Sequence, residues 1–259
     1  MANNSHRFET LLKISHELNY TDDLDSVLER ILAEARSLTE SEAGTIYLRD
    51  GDELVFEHTQ NDLLFTSNLD NKNNYQNQRI PVTESSISGF VALNSMKGKG
   101  QDTILNFPDV YEISITYPFN FDKSFDTEND YRTKSMLATS VDNVNGENIG
   151  VLQIINRKDD KQETIPFDED DELLLSSFAD LAAVHIERAR ITKEMILRMI
   201  KMAELRDPKE TGSHVNRVGA YSAELYEHWA MKNDVPKNEI KQMKGNYRLA
   251  SMLHGKIQF

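Results

Sequence analysis

Helical and strand periodicities take turns along this chain. Phe8, Leu11, Leu12, Ile14 and Leu18 give a short helical pattern over residues 4–19. Val27, Leu28, Ile31, Leu32 and Ala35 give a stronger one over Leu24–Leu38, with Asp22 or Asp23 placed to cap it. Ala43–Leu48 and Glu53–His58 are β-rich runs on either side of Asp50-Gly51, which predicts a hairpin. Residues 60–78, rich in Asn, Asp and Gln, read as a loop. Arg79-Ile80-Pro81 then leads to a short helix around Ile87–Asn94. Residues 95–130 read as a long irregular stretch whose aromatics suit a lid or a pocket wall. A second hairpin pairs Ser135–Asp142 with Asn148–Asn156 about Asn145-Gly146. Val151, Leu152, Ile154 and Ile155 mark its second strand as the most buried in the chain.

The pattern then becomes one long helix from about Asp168 to Arg206. Acidic residues from Asp168 to Glu172 suit the positive end of its dipole, and no Gly or Pro interrupts Leu173–Leu205. At 1.5 Å per residue that is about 50 Å of helix. Leu174, Phe178, Leu181 and Val184 make its first half apolar enough to pack on a domain. The second half is leaner, and a roughly heptad seam runs through Leu174, Leu181, Met195 and Met202, interrupted by His185 and Arg188. A homodimer along this seam and an ordinary amphipathic helix both fit. Past Pro208 and Gly212 a further helix runs from near Ser213 to Met231, with Val218, Tyr221, Leu225 and Tyr226 inward. A last helix spans Lys237–Leu253.

These elements predict an α+β fold: residues 1–167 as a sensor-like domain with an antiparallel sheet and flanking helices, its closing helix reaching about residue 190. Residues 168–206 form a connecting helix and 207–259 an all-α segment. The formal charge of −14 over 259 residues argues against nucleic acid as a partner. No apolar run nears 18 residues and no export signal opens the chain, so no membrane association is expected. With no cysteine, disulfides, thiolate metal sites and cysteine nucleophiles are excluded, and a cytoplasmic protein is expected.

Residues 24–190 resemble GAF domains, the small-molecule sensor modules of cyclic-nucleotide phosphodiesterases and bacterial signalling proteins. The matching stretches are 79–81 (RIP), 87–92 (ISGFVA), 105–111 (LNFPDVY), 131–137 (YRTKSML) and 149–156 (IGVLQIIN). The resemblance implies a ligand pocket at Thr45, Ile87, Ser88, Tyr111, Thr133 and Gln153, with Phe90 adding apolar surface. It makes a cyclic nucleotide a candidate ligand. Members that bind cyclic nucleotides carry Asn-Lys, a Phe, and Asp-Glu four residues beyond it. Here the set reads Asn156-Arg157, Phe167 and Asp171-Glu172, with Arg for Lys. Arg157 keeps the ability to pair with Asp171, as a structural clasp or beside a ligand. Gln153 is neutral where cyclic-GMP binders can carry an acid. An empty pocket on a dimerising scaffold is the alternative.

Near the C-terminus, Glu210, His214 and His254 offer an oxygen and two imidazoles for a divalent metal, although a capped surface helix explains the same residues. Residues 204–218 and 250–257 resemble the opening of HD-GYP domains, metal-dependent phosphodiesterases of cyclic di-GMP. By that resemblance the three residues fall on ligand positions for iron or manganese. The family has an Asp directly after the second His; here Gly255 follows His254 at once, and the later His, Asp and Gly-Tyr-Pro elements are absent up to Phe259. Two-metal hydrolysis needs more fixed ligands than these three. The expectation is a partial output domain with no catalytic residues, or an active phosphodiesterase whose remaining residues lie outside this sequence.

Overall fold

The computed structural model describes residues 2–19, 23–64, 78–97, 103–206 and 212–233, with residues 235, 240, 243–245, 247 and 250. Two compact units divide the chain, Met1–Arg188 and Ala189–Phe259.

In the first unit, α1 (Ala2–Leu18) and α2 (Leu24–Leu38) precede a hairpin of β1 (Ser41–Asp50) and β2 (Glu53–Asn61). Next come β3 (Arg79–Pro81), α3 (Ile87–Met96), β4 (Ile104–Phe107), a single 3-10 turn at Val110–Glu112 and α4 (Ser124–Asn129). The second hairpin joins β5 (Met136–Asp142) to β6 (Asn148–Lys158), followed by β7 (Thr164–Ile165) and the long α5 (Glu169–Arg206). The strands form one antiparallel sheet in the order β3-β2-β1-β6-β5-β4, with β7 beside β6.

Strand alternation divides the core between the two faces of this sheet. Ile46, Leu137, Leu152 and Ile154 face one side, where they meet Leu28, Ile31 and Leu32 of α2, Leu11, Ile14 and Leu18 of α1, and Leu174, Leu175 and Phe178 of α5. Tyr47, Leu54, Met136, Ala138 and Val151 face the other side, with Phe90 and Val91 of α3, Phe107 and Phe119. Asp23 caps α2 by accepting from the Ser26 amide at 2.9 Å. Close packing is enforced where β1 crosses β6: a Cβ at Gly150 would lie 2.3 Å from the Tyr47 carbonyl oxygen.

The described residues of 95–130 hold more regular structure than their sequence pattern predicts. β4 and α4 lie within them, and Phe90, Phe107, Tyr117 and Phe119 stack edge to face with centroids 5.0–6.2 Å apart. Four strand residues are too few to carry a readable alternation, and β4 exists because β5 offers it a ladder. Most of the loop expected over 60–78 lies outside the described residues.

The long helix also differs in the face it presents. Leu174 is fully buried in its own domain and Leu181 half-buried, so neither belongs to an outer seam, whereas Val184 is 57% exposed. His185 is buried, and desolvation together with the Arg188 charge lowers its pKa. The inward set is Leu174, Leu175, Phe178, Ala179, Ala182, Ala183 and Ile186. A helix apolar on two sides does not reveal from spacing alone which side its own sheet will take. Val184, Ile191, Met195, Met199 and Met202 are exposed.

In the second unit, α6 (Gly212–Lys232) turns Ala223 and Ala230 inward, with Gly219 between them and the helix start. Tyr221 and Leu225, expected inward, are 63% and 72% exposed. Small residues allow a close neighbour, and hydropathy ranks them below the large ones that stay outside. Tyr226 stacks against Tyr247 at 4.8 Å, Ile240 is buried, and Lys244 pairs with Glu227. Most of the helix expected over Lys237–Leu253 lies outside the described residues.

Candidate functional site

On the sheet face away from α1, α2 and α5 lies a cavity of about 330 Å³. Its floor is β1 and β6, at Thr45, Tyr47, Gln153 and Ile155. Its walls are Phe56 and Thr59 of β2, the start of α3 at Ser86, Ile87 and Ser88, and Asn120, Phe121 and Phe125 from the aromatic-rich stretch. Five of the six pocket residues read from the sequence meet here: Thr45, Ile87, Ser88, Thr133 and Gln153.

Tyr111 does not line it. Its hydroxyl donates to Asp126 at 2.8 Å, and its ring carries the Arg132 guanidinium at 3.4 Å from the centroid. Asp126, itself 3% exposed, also accepts from the Thr133 amide and hydroxyl, both at 2.8 Å. Tyr111 therefore reaches the cavity only through Asp126, which holds Thr133 in place. Phe90 likewise stays in the aromatic cluster behind the wall.

The polar groups of the cavity are arranged by one another. Ser88 donates to the side-chain Oε1 of Gln153 at 2.8 Å, so the Gln153 side-chain amide has its N–H donors to offer a ligand. Tyr47 lies beneath them; burial pushes its phenol up to about 12, against hydrogen bonds with Ser88 and Thr45 that lower it, so it stays protonated. Among the described residues lining the cavity, none is Lys or Arg, and Asp122 is the charged one. The Ser124 amide and hydroxyl hold the Asp122 carboxyl below its ordinary value. Among the described residues, positive potential in the lining comes from the N-terminus of α3, where Ser86 caps the helix by accepting from the Gly89 amide.

The five residues of the proposed clasp lie off the cavity, at the end of β6 and the start of α5. Arg157 reaches Asp168 and Asp171, both at 2.6 Å. Asp171 also receives Arg7 of α1 at 2.5 Å, and trades amide-to-carboxylate bonds of 3.0 Å with Asp168 in a reciprocal cap. Phe167 is buried, and Asn106 donates both to its carbonyl oxygen and to Glu172. Asn156 adopts φ 57°, a conformation Asn tolerates. From there it accepts from the Lys134 amide and donates to Glu42 and the Arg132 carbonyl.

Glu42 is a polar residue of this corner that periodicity could not flag. Burial raises its carboxyl, but bonds from Asn156, Lys158 and Tyr131 outweigh burial and hold it below its ordinary value. Its partner Tyr131 lies 89 residues away. Glu210 and His254, read as metal ligands, lie outside the described residues. His214 belongs to α6 by its backbone, with its side chain outside the described set.

Comparison with known proteins bears on this geometry. The family model of the GAF domain matches residues 23–186. A dual 3',5'-cyclic-AMP and -GMP phosphodiesterase 11A from Takifugu rubripes is 27% identical over 178 residues, 66% of this chain and 18% of that protein. A dual 3',5'-cyclic-AMP and -GMP phosphodiesterase 11 from Drosophila melanogaster is 26% identical, over 70% of this chain and 12% of its own length. The chain thus spans less than a fifth of these relatives. Among solved structures, the GAF domain of a phosphoenolpyruvate-protein phosphotransferase from Coxiella burnetii superposes with a TM-score of 0.57 at 19% identity, covering 74% of this chain and 99% of that one. A free methionine-R-sulfoxide reductase from Neisseria meningitidis gives 0.52 at 21%, covering 73% and 93%. At these identities the structural likeness speaks for the fold.

Proposed function

This chain belongs to the GAF domain family, and from that premise we propose that it is the sensing part of a cytoplasmic signalling protein whose cavity takes a small planar ligand. The observation that carries this reading is the cavity itself, with stacking surface at Phe56 and Phe121, hydroxyls and an amide converging at Thr45, Ser88 and Gln153, and a helix N-terminus at its wall. Cyclic nucleotides are the first compounds to try, because two relatives are named for hydrolysing them and the start of α3 suits a phosphate in a lining whose described residues include no cationic side chain. Bound ligand would act on α5 through β6, since Gln153 and Arg157 lie on one strand and Arg157 holds Asp171 in the cap of α5.

The test is a thermal-shift and calorimetry series with cyclic AMP, cyclic GMP and a tetrapyrrole. A ligand at a hundredfold excess over its dissociation constant should stabilise the chain by about 2.7 kcal/mol. Gln153→Ala should remove most of that shift. A melting point indifferent to all three compounds would replace the sensor with a scaffold that keeps an empty pocket.

We read the segment after α5, on its sequence, as the opening of an HD-GYP output domain, with Glu210, His214 and His254 as a partial metal set for iron or manganese. Gly255 stands where the family has its Asp, and this supports an inactive chain. Cyclic di-GMP incubated with the chain and manganese should be recovered intact; turnover that vanishes in His214→Ala would reverse this assignment. A second copy of the chain is the partner we propose for the exposed stripe of α5, where Val184 and Ile191, and Met195 and Met202, repeat at seven residues.

A further inference from the structure

We propose that Asp25, Glu57 and His58 bind one divalent transition ion of the zinc class, on the sheet face opposite the cavity. Two elements supply the donors: Asp25 stands in the first turn of α2, while Glu57 and His58 are neighbours on β2. Neighbours on a regular strand point to opposite faces, which would separate them. β2 is not regular here. Its pairing with β1 steps from Ile46 opposite His58 to Tyr47 opposite Phe56, so Glu57 is the extra residue of a bulge. A bulge re-aims a side chain, and this one puts Glu57 and His58 to the same side.

One carboxylate oxygen from Asp25, one from Glu57 and a ring nitrogen of His58 consequently lie within 4.8 Å of one another. His58 Nε2 is 3.9 Å from Asp25 Oδ1, longer than a hydrogen bond. Zinc bonds to nitrogen and oxygen are roughly 2.0–2.2 Å, so two ligands of one ion stand at most about 4 Å apart. At 3.9 Å the two groups stand near that outer limit, and small side-chain rotations draw them to tetrahedral spacing and bring in Glu57. An imidazole with two carboxylates favours zinc, manganese, cobalt or nickel over magnesium and calcium. The Asp25 side chain is 45% exposed, which leaves the ion a path in and an open coordination position. Phe56, beside the bulge, lines the cavity, so an ion here would fix one wall of it against α2.

The experiment strips the full chain with chelator, then titrates zinc chloride by calorimetry with melting curves alongside. Saturable zinc binding and a rise in melting temperature are expected, both in the unmodified chain and in a His214→Ala chain that lacks the other candidate set, with magnesium chloride at the same concentration inert. His58→Gln should weaken binding at least tenfold. Asp25→Asn, on an exposed first turn where the fold has little to lose, should do the same. The proposal fails if no saturable binding is seen, if both Asp25→Asn and His58→Gln bind as the unmodified chain does, or if the ion is lost with His214→Ala and kept with His58→Gln.

Discussion

Asp171→Ala should lower the unfolding free energy by about 3–5 kcal/mol, the range for removing one partner of a buried ion pair. Asp171 is fully buried, and the two guanidinium groups on it are nearly so, at 12% exposed for Arg7 and 15% for Arg157. Alanine would leave two desolvated cations close together. Arg157 keeps Asp168 at 2.6 Å and Arg7 keeps the Leu38 carbonyl at 2.8 Å, which argues for the lower part of the range. The change also breaks the cap, since the Asp168 amide loses its acceptor. Urea denaturation measures the loss as a lower midpoint at unchanged slope. Asp171→Asn keeps the volume and one acceptor oxygen, and should cost clearly less. A loss below about 1 kcal/mol for alanine would mean that the cluster is held like a surface pair, and β6 would then have no firm grip on α5.

That cluster also separates what could be read in the sequence from what could not. α2 was legible because five apolar residues at helical spacing all fall on one side, each 1% exposed or less. Both hairpins were legible because Gly51 and Gly146 sit in turns at φ +65° and +75°, where glycine is at ease. β3, β4 and β7 were not, since strands of two to four residues carry no alternation and depend on a neighbour already in place. The pocket residues came from resemblance to a family, and Tyr111 misled because a motif gives a position without saying where the side chain points. Arg7 was invisible for another reason. Nothing near it in sequence asks for a cation, and its partner lies 164 residues on. The bulge at Glu57 is equally silent, because it exists only as a mismatch between two strands.

Met195→Glu combined with Met202→Glu should weaken self-association of the chain at least a hundredfold, about 2.7 kcal/mol in free energy. In the folded chain these side chains are 50% and 69% exposed, so charging them costs the monomer little, and glutamate is a good helix former. In a parallel pair of α5 helices each substitution occurs twice. Four buried thioether side chains, each contributing about 1.5–3 kcal/mol by leaving water, become four carboxylates facing one another. The stripe through Val184, Ile191, Met195 and Met202 carries this expectation; the seam through Leu174 does not, because Leu174 is already fully buried against its own sheet. Arg188 and Arg198 sit among these positions and would limit the tightness of the pair, so the dimer should form at micromolar rather than nanomolar concentration. Sedimentation velocity across that range measures it, with a melting curve to verify that the doubly substituted chain is folded. A monomer in the unmodified chain at every concentration would remove the paired-helix arrangement, and the cavity would then have to act on its output within a single chain.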